Sequence, residues 1–244
     1  MGSNNRQTKL YVILGSHACR TGMLMLEHKK IPYRTVMLPT GMQSSMRVRG
    51  YPYGTVPALR IGGRRVQTNV AIARFLDELQ PDPPLFPGDE QHRREVEQAE
   101  RWADEELQMF VRRTVLAVAL HGSDGLANRG ADGRLGPLLW HHDRARLIGT
   151  RMVGRFIFNV NERTERELLE QVPAMLDRID AWIDGGVLNG ERLYAADYAI
   201  ASSLALLHYR LDLRPEIESR SAIALIDRVL PERSGPREPA VATP

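Results

Sequence analysis

Residues 80–88, QPDPPLFPG, constrain this chain more than any other stretch. Proline fixes φ and lacks an N–H, so four prolines in nine residues can continue neither a helix nor a sheet. The grammar of the sequence changes across this break. Before it, strand and helix signals alternate; after it, every periodic segment has a helical period. A boundary here divides the chain into a first domain over 1–80, a linker over 81–89, a second domain over 90–230 and a disordered tail over 231–244, PERSGPREPAVATP.

In the first part, residues 8–14 read as a buried strand closed by Gly15. Met23, Leu24, Leu26 and Ile31 recur at helical spacing until Pro32 stops the helix, and a second strand follows from Tyr33 to Leu38. Strand, helix and parallel strand make a right-handed βαβ unit. Residues 39–55, broken by Gly41, Gly50, Pro52 and Gly54, read as irregular. Two short apolar runs then flank Gly62-Gly63, a hairpin signal, and Asn69 to Leu79 returns to helical period. The order is β-α-β, a connection, then β-β-α.

The second part predicts helices over 90–120, 138–160, 165–184, 196–211 and 216–229. The connection at 121–137 holds five glycines and two large apolar residues, Leu126 and Leu135. Glycine gives the open chain high entropy, so a mobile flap is expected there.

A formal charge of +3, with arginine pairs such as Arg64-Arg65, Arg93-Arg94 and Arg112-Arg113 set far apart, argues against a nucleic-acid stripe. No apolar run approaches the roughly 20 residues of a membrane helix, and the polar N-terminus lacks a signal-like segment. The lone cysteine, Cys19, excludes an intramolecular disulfide. These readings predict a cytoplasmic protein with neither nucleic-acid nor membrane partners.

Four local motifs carry a family resemblance. GSHACR, residues 15–20, sits where the first strand meets the first helix. Val56-Pro57-Ala58-Leu59 opens the hairpin, Thr68-Asn69-Val70-Ala71-Ile72 opens the following helix, and Ala196-Asp197-Tyr198 lies in LYAADYAIASSL. In order and spacing they resemble the glutathione S-transferase superfamily, with a theta-like, serine-type active-site turn. The resemblance implies a thioredoxin-like α/β domain followed by an all-α domain. It also implies transfer of glutathione, or a related small thiol, to a hydrophobic electrophile by a homodimer, with glutathione as cosubstrate and no cofactor or metal.

On the resemblance, Ser16 donates to the thiolate while the N-terminus of the helix stabilises its charge. The Val56 backbone and a cis Pro57 hold the peptide, and Thr68 with Asn69, assisted by Gln67, receives the γ-glutamyl end. The family's Glu-Ser pair is replaced here by two neutral side chains. Ser16 also suits a plain N-cap, and Asn69 can cap the next helix. Cys19 occupies the second cysteine position of a glutaredoxin-like turn and is a candidate redox group, although a lone helical cysteine is commonly a small core residue. Met109, Arg112, Arg113 and Trp140 are candidates for an acceptor pocket between the domains. His141-His142-Asp143 reads as a solvated pair rather than a metal site. Asp197 reads as a helix cap, with Tyr194 in place of the usual Ser or Thr.

Overall fold

The computed structural model describes residues 8–39, 41–122, 125–126, 134–135 and 144–231, with side chains left aside for 144–150. The first domain comprises β1 (Lys9–Ile13), α1 (His17–His28), β2 (Arg34–Leu38), α2 (Ser45–Val48), β3 (Ala58–Ile61), β4 (Arg64–Gln67) and α3 (Asn69–Leu79). The strands form one sheet in the order β2-β1-β3-β4, with β1 parallel to β2 and the other pairs antiparallel. This is the thioredoxin-like arrangement expected from the strand and helix signals. The segment 39–55 is not wholly irregular: it holds the single turn of α2, pinned by the buried Met46.

Residues 90–120 form a nearly continuous rod. It runs from α4 (Glu90–Trp102) through a π-helical turn (Ala103–Leu107) and α5 (Gln108–Ala117) to a 3₁₀ turn (Val118–Leu120). Then come α6 (Arg144–Ile157), α7 (Glu162–Asp184), α8 (Ala195–Leu207), α9 (Arg214–Glu218) and α10 (Ala222–Val229). Helix α7 starts earlier than its apolar period suggests, because the Asn161 side chain accepts from the N–H groups of Arg163 and Thr164, both at 3.1 Å. The single helix expected over 216–229 is two short ones, since the chain turns at Ser219–Ser221. Most of the glycine-rich connection and the tail from 232 lie outside the described residues.

The two domains share one apolar core. Leu10, Met25, Leu26 and Leu76 from the first domain join Trp102, Val111, Ile200 and Leu204 from the second in a single cluster. Helix α8 is buried along nearly its whole length and packs against α1. Asp197 anchors it, accepting from the N–H groups of Asn189 and Tyr194, each at 2.7 Å. Burial pushes the Asp197 carboxyl up to about 6, and the backbone donors hold it down in part.

The linker is fixed by a cation. Lys29, fully buried at the end of α1, donates from Nζ to Asp77 Oδ1 (2.6 Å), Gln80 O (2.7 Å) and Pro83 O (2.5 Å). All three protons of its ammonium are used, as burial of a charge requires. Asp77 Oδ1 also accepts from the Leu85 N–H at 2.8 Å.

Candidate active site

Ser16 stands at the N-cap of α1 in extended backbone, and its Oγ accepts from the Cys19 N–H at 3.2 Å. The hydroxyl is also within hydrogen-bond reach of the Cys19 thiol, and it can turn its proton from that sulfur to an incoming anion. The cap and the hydroxyl donor therefore belong to the same residue.

Cys19 lies one turn further in, fully buried. Burial raises its pKa to about 11, against the Ser16 hydrogen bond and the Arg112 charge that pull the other way. It is a protonated thiol without solvent access at neutral pH, which removes the two properties a redox cysteine needs. The packing corrects the redox expectation for Cys19 in favour of a core role.

The Val56–Pro57 peptide bond is cis, as the resemblance implies. Among the described residues no backbone hydrogen bond outside the regular elements engages the Val56 N–H or C=O. Gly22, inside α1, brings the turn close. A Cβ there would lie 3.4 Å from Pro57 Cβ and 3.6 Å from Asn69 Oδ1. These are ordinary van der Waals contacts, so the helix and the turn pack closely at Gly22 with room for a methyl group.

Thr68 caps α3, with Oγ1 accepting from the Ala71 N–H at 3.3 Å and an unusual φ of 75°. Asn69 does not cap the helix and does not face outward. Its Nδ2 donates to the Ala18 carbonyl at 3.1 Å, and its buried Oδ1 has no partner among the described residues. The side chain thus ties α3 to α1 instead of offering an amide to a carboxylate. Gln67 is also occupied: it accepts from the Tyr53 N–H (2.8 Å) and donates to the carbonyls of Tyr53 (2.9 Å) and Thr55 (2.6 Å), fastening the loop before Pro57. What stays open at this end is the Thr68 hydroxyl proton and the first backbone N–H groups of α3.

Of the expected acceptor residues, Met109 and Arg113 share one face of α5 and line a cleft of about 340 Å³ with Glu105, Phe110, Leu168 and Met175. Arg112 does not line this cleft; its guanidinium lies over the Phe158 ring, 5.6 Å from the centroid. Of the three described candidates, two therefore share a cleft and the third stands outside it. Trp140 lies outside the described residues, as does His141-His142-Asp143.

Sequence reading missed His17. Its ring is buried, hydrogen-bonded to the backbone of Gln108, and its Nε2 has no partner among the described residues. Burial first, and the Arg112 charge second, lower its pKa to about 3, so the ring is neutral. His17 thereby joins the turn to α5 immediately after the π-helical turn, a feature frequent at functional sites.

The basic residues are also less evenly spread than their separate pairs suggest. Residues 1–76 hold twelve Lys or Arg and one acid, Glu27, whereas residues 77–244 hold 21 against 29, out of 33 and 30 in the chain. The fold gathers part of this excess. Arg60 and Arg65 face each other across β3 and β4, and the Arg65 guanidinium lies over Gly50, just after Arg47 and Arg49. Residues 1–76, which include Ser16, are strongly cationic.

Residues 10–84 match the family model of the glutathione S-transferase N-terminal domain. No curated protein sequence matches the chain. Among solved structures, the chain is similar to a glutathione S-transferase from Rhodospirillum rubrum F11 (22% identity, 96% of this chain and 97% of that one, TM-score 0.60). It is also similar to the beta-etherase LigF of Sphingobium sp. strain SYK-6 (18% identity, 91% and 94%, TM-score 0.66). A third is a glutathione S-transferase of Ceriporiopsis subvermispora in complex with glutathione (16% identity, 96% and 100%, TM-score 0.67). Residues 10–84 thus match the glutathione S-transferase N-terminal domain, and the chain as a whole has the fold of the glutathione S-transferases it is similar to.

Proposed function

We propose that the protein is a cytoplasmic, homodimeric glutathione transferase of the serine type. It joins the thiol of glutathione, or a closely related thiol, to a hydrophobic electrophile. The observation that carries this reading is Ser16: a hydroxyl at the N-cap of α1, where the first strand meets the first helix. The thiolate accepts a hydrogen bond from that hydroxyl, and the helix dipole adds to its stabilisation. The sulfur then attacks an electrophilic carbon. A C–S bond forms, the leaving group departs with its electron pair, and the thiol proton passes to solvent. The Val56 main chain pairs with the peptide, and Thr68 with the α3 N-terminus receives the γ-glutamyl carboxylate.

A second reading, a binding module without catalysis, draws on the neutral Thr68-Asn69 pair and on the engagement of Gln67 and Asn69 within the fold. Retention on glutathione-agarose and conjugation of an aryl halide dye separate the two. The transferase reading expects retention and turnover, a loss of more than about tenfold in Ser16→Ala, equivalent to one charge-assisted hydrogen bond, and unchanged turnover in Cys19→Ala. Retention without turnover on a panel of electrophiles selects the binding module. Turnover that survives Ser16→Ala overturns the assignment of Ser16.

A further inference from the structure

One face of the first-domain sheet carries a row of cations. In the strand register Lys9 of β1 pairs with Arg34 of β2 and with Arg60 of β3, and Arg60 pairs with Arg65 of β4. Residues directly opposite one another in a ladder share a face, so all four project from the same side. At the usual strand spacing they span about 14 Å. Arg34, Arg60 and Arg65 are exposed, and Lys9 is half-buried. Like charges set directly opposite cost stability, and no carboxylate offsets these. Among the described residues none of the four forms an ion pair. Glu27, the one acid of residues 1–76, is engaged by Arg20 at 3.0 Å and by Tyr33 at 2.9 Å.

Strand β1 starts at Lys9 and runs toward the turn that holds Ser16, so the row lies at the end of the sheet away from that turn. Helix α2 covers the other end of the same face, where Met46 packs with Leu38 and Ala58 against Tyr11 and Ile13. Its outward side adds the exposed Arg47 and Arg49, and the segment around it bares Met42, Val48 (91% exposed) and Tyr53. Arg65 joins the two parts at the sheet edge, with its guanidinium over Gly50. Cations and bare aliphatic side chains on one surface suit a bilayer interface, where headgroup phosphates answer the charge and the acyl boundary takes up the apolar groups. A single-stranded nucleic acid would use aromatic platforms, and of the three bare side chains only Tyr53 is aromatic. An acidic peptide would answer the cations and leave Val48 in water.

We infer that this face rests the protein on an anionic lipid surface, with the cationic row and the arginines of α2 at the headgroups and Val48 at the acyl boundary. The expectation of no membrane partner rested on the lack of a spanning segment. No helix of the described residues is long and apolar enough to cross a membrane, but surface contact needs none. The face is remote from Ser16, so the inference does not depend on the transferase reading.

The test is co-sedimentation of the full chain with vesicles of phosphatidylcholine alone and of phosphatidylcholine with about one-third phosphatidylglycerol. The native protein should partition to the anionic vesicles at least about tenfold more strongly, and less so as salt is raised. Arg34→Glu/Arg60→Glu should weaken that partition by more than about tenfold, whereas the same charge change on α4, Arg93→Glu/Arg94→Glu, should cost less than about twofold. Val48→Ser should weaken it about threefold and keep the salt dependence. Circular dichroism checks folding, and Arg34→Gln/Arg60→Gln takes the place of the glutamate variant if that one does not fold. Equal partition of the native protein to both vesicles, or none to either, overturns the inference. An equal loss in the two glutamate variants overturns it, because net charge alone then acts. Binding of a single-stranded oligonucleotide and not of vesicles overturns it in favour of nucleic acid. A light-scattering mass that falls to the monomer in Arg34→Glu/Arg60→Glu overturns it too, because the row then meets a second copy of the chain.

Discussion

The side-chain amide of Asn69 donates to the carbonyl oxygen of Ala18 at 3.1 Å and so joins the first turn of α3 to the first turn of α1. A residue standing where relatives have a ligand-binding hydroxyl is here a brace between the two helix starts that frame the site. Asn69→Ala should lower stability by about 1–2 kcal/mol, the cost of leaving a buried carbonyl unpaired. Denaturant unfolding measures this. A variant of native stability with sharply weakened glutathione binding would show instead that the amide contacts the ligand.

Lys29 and the linker should stand or fall together. Lys29→Met keeps much of the volume but leaves the Asp77 carboxylate and two carbonyls without their donor. Breaking a buried pair in this way costs about 3–5 kcal/mol. Limited proteolysis is expected to cut the variant near residues 80–88 well before it cuts the native chain.

His17 gives stability a dependence on pH whose sign is fixed. Its pKa is about 3 in the folded protein, below the usual 6.5. Below pH 6.5 the unfolded chain takes up a proton that the folded chain refuses until pH is near 3. The contribution is complete above 6.5 and falls through that window by about 1.4 kcal/mol per unit at most. Between pH 7.5 and 5 the native protein should therefore lose about 2 kcal/mol more than His17→Gln. His28 and His208, also lowered by burial, and Glu100, raised to about 7 by burial, are present in both proteins and cancel in the comparison. Parallel pH profiles would refute the neutral, buried state of His17.

The division of charge bears on assembly. A two-fold dimer that sets the first domain of one protomer against the helical domain of the other brings the basic part of the chain, residues 1–76, against the more acidic remainder. Light scattering at micromolar concentration should give twice the chain mass, with dissociation favoured by high salt and by Arg65→Glu. A monomer mass at low salt would reject this arrangement.

The sequence by itself determined the elements and their order. Proline and glycine act locally, so the linker at 80–88, the Gly62-Gly63 hairpin and the ends of α1 are legible from composition alone. Apolar period is also local, and it placed the rod over 90–120 and all but the last of the other helices. The motif around Ser16 fell where strand meets helix for the same reason. What only the tertiary structure decided is where polar side chains spend their hydrogen bonds. Asn69, Gln67 and Arg112 look alike in the sequence, as polar residues near a site. The amide of Asn69 is claimed by a carbonyl 51 positions away, the Gln67 amide by the loop before Pro57, and the Arg112 guanidinium by the Phe158 ring. Such choices depend on which unpaired backbone groups packing leaves nearby, and a buried polar group takes whatever partner satisfies it. The core shared by both domains is of the same kind. Each face of α1 and α8 is apolar in the sequence, but only folding selects the surface against which it is buried.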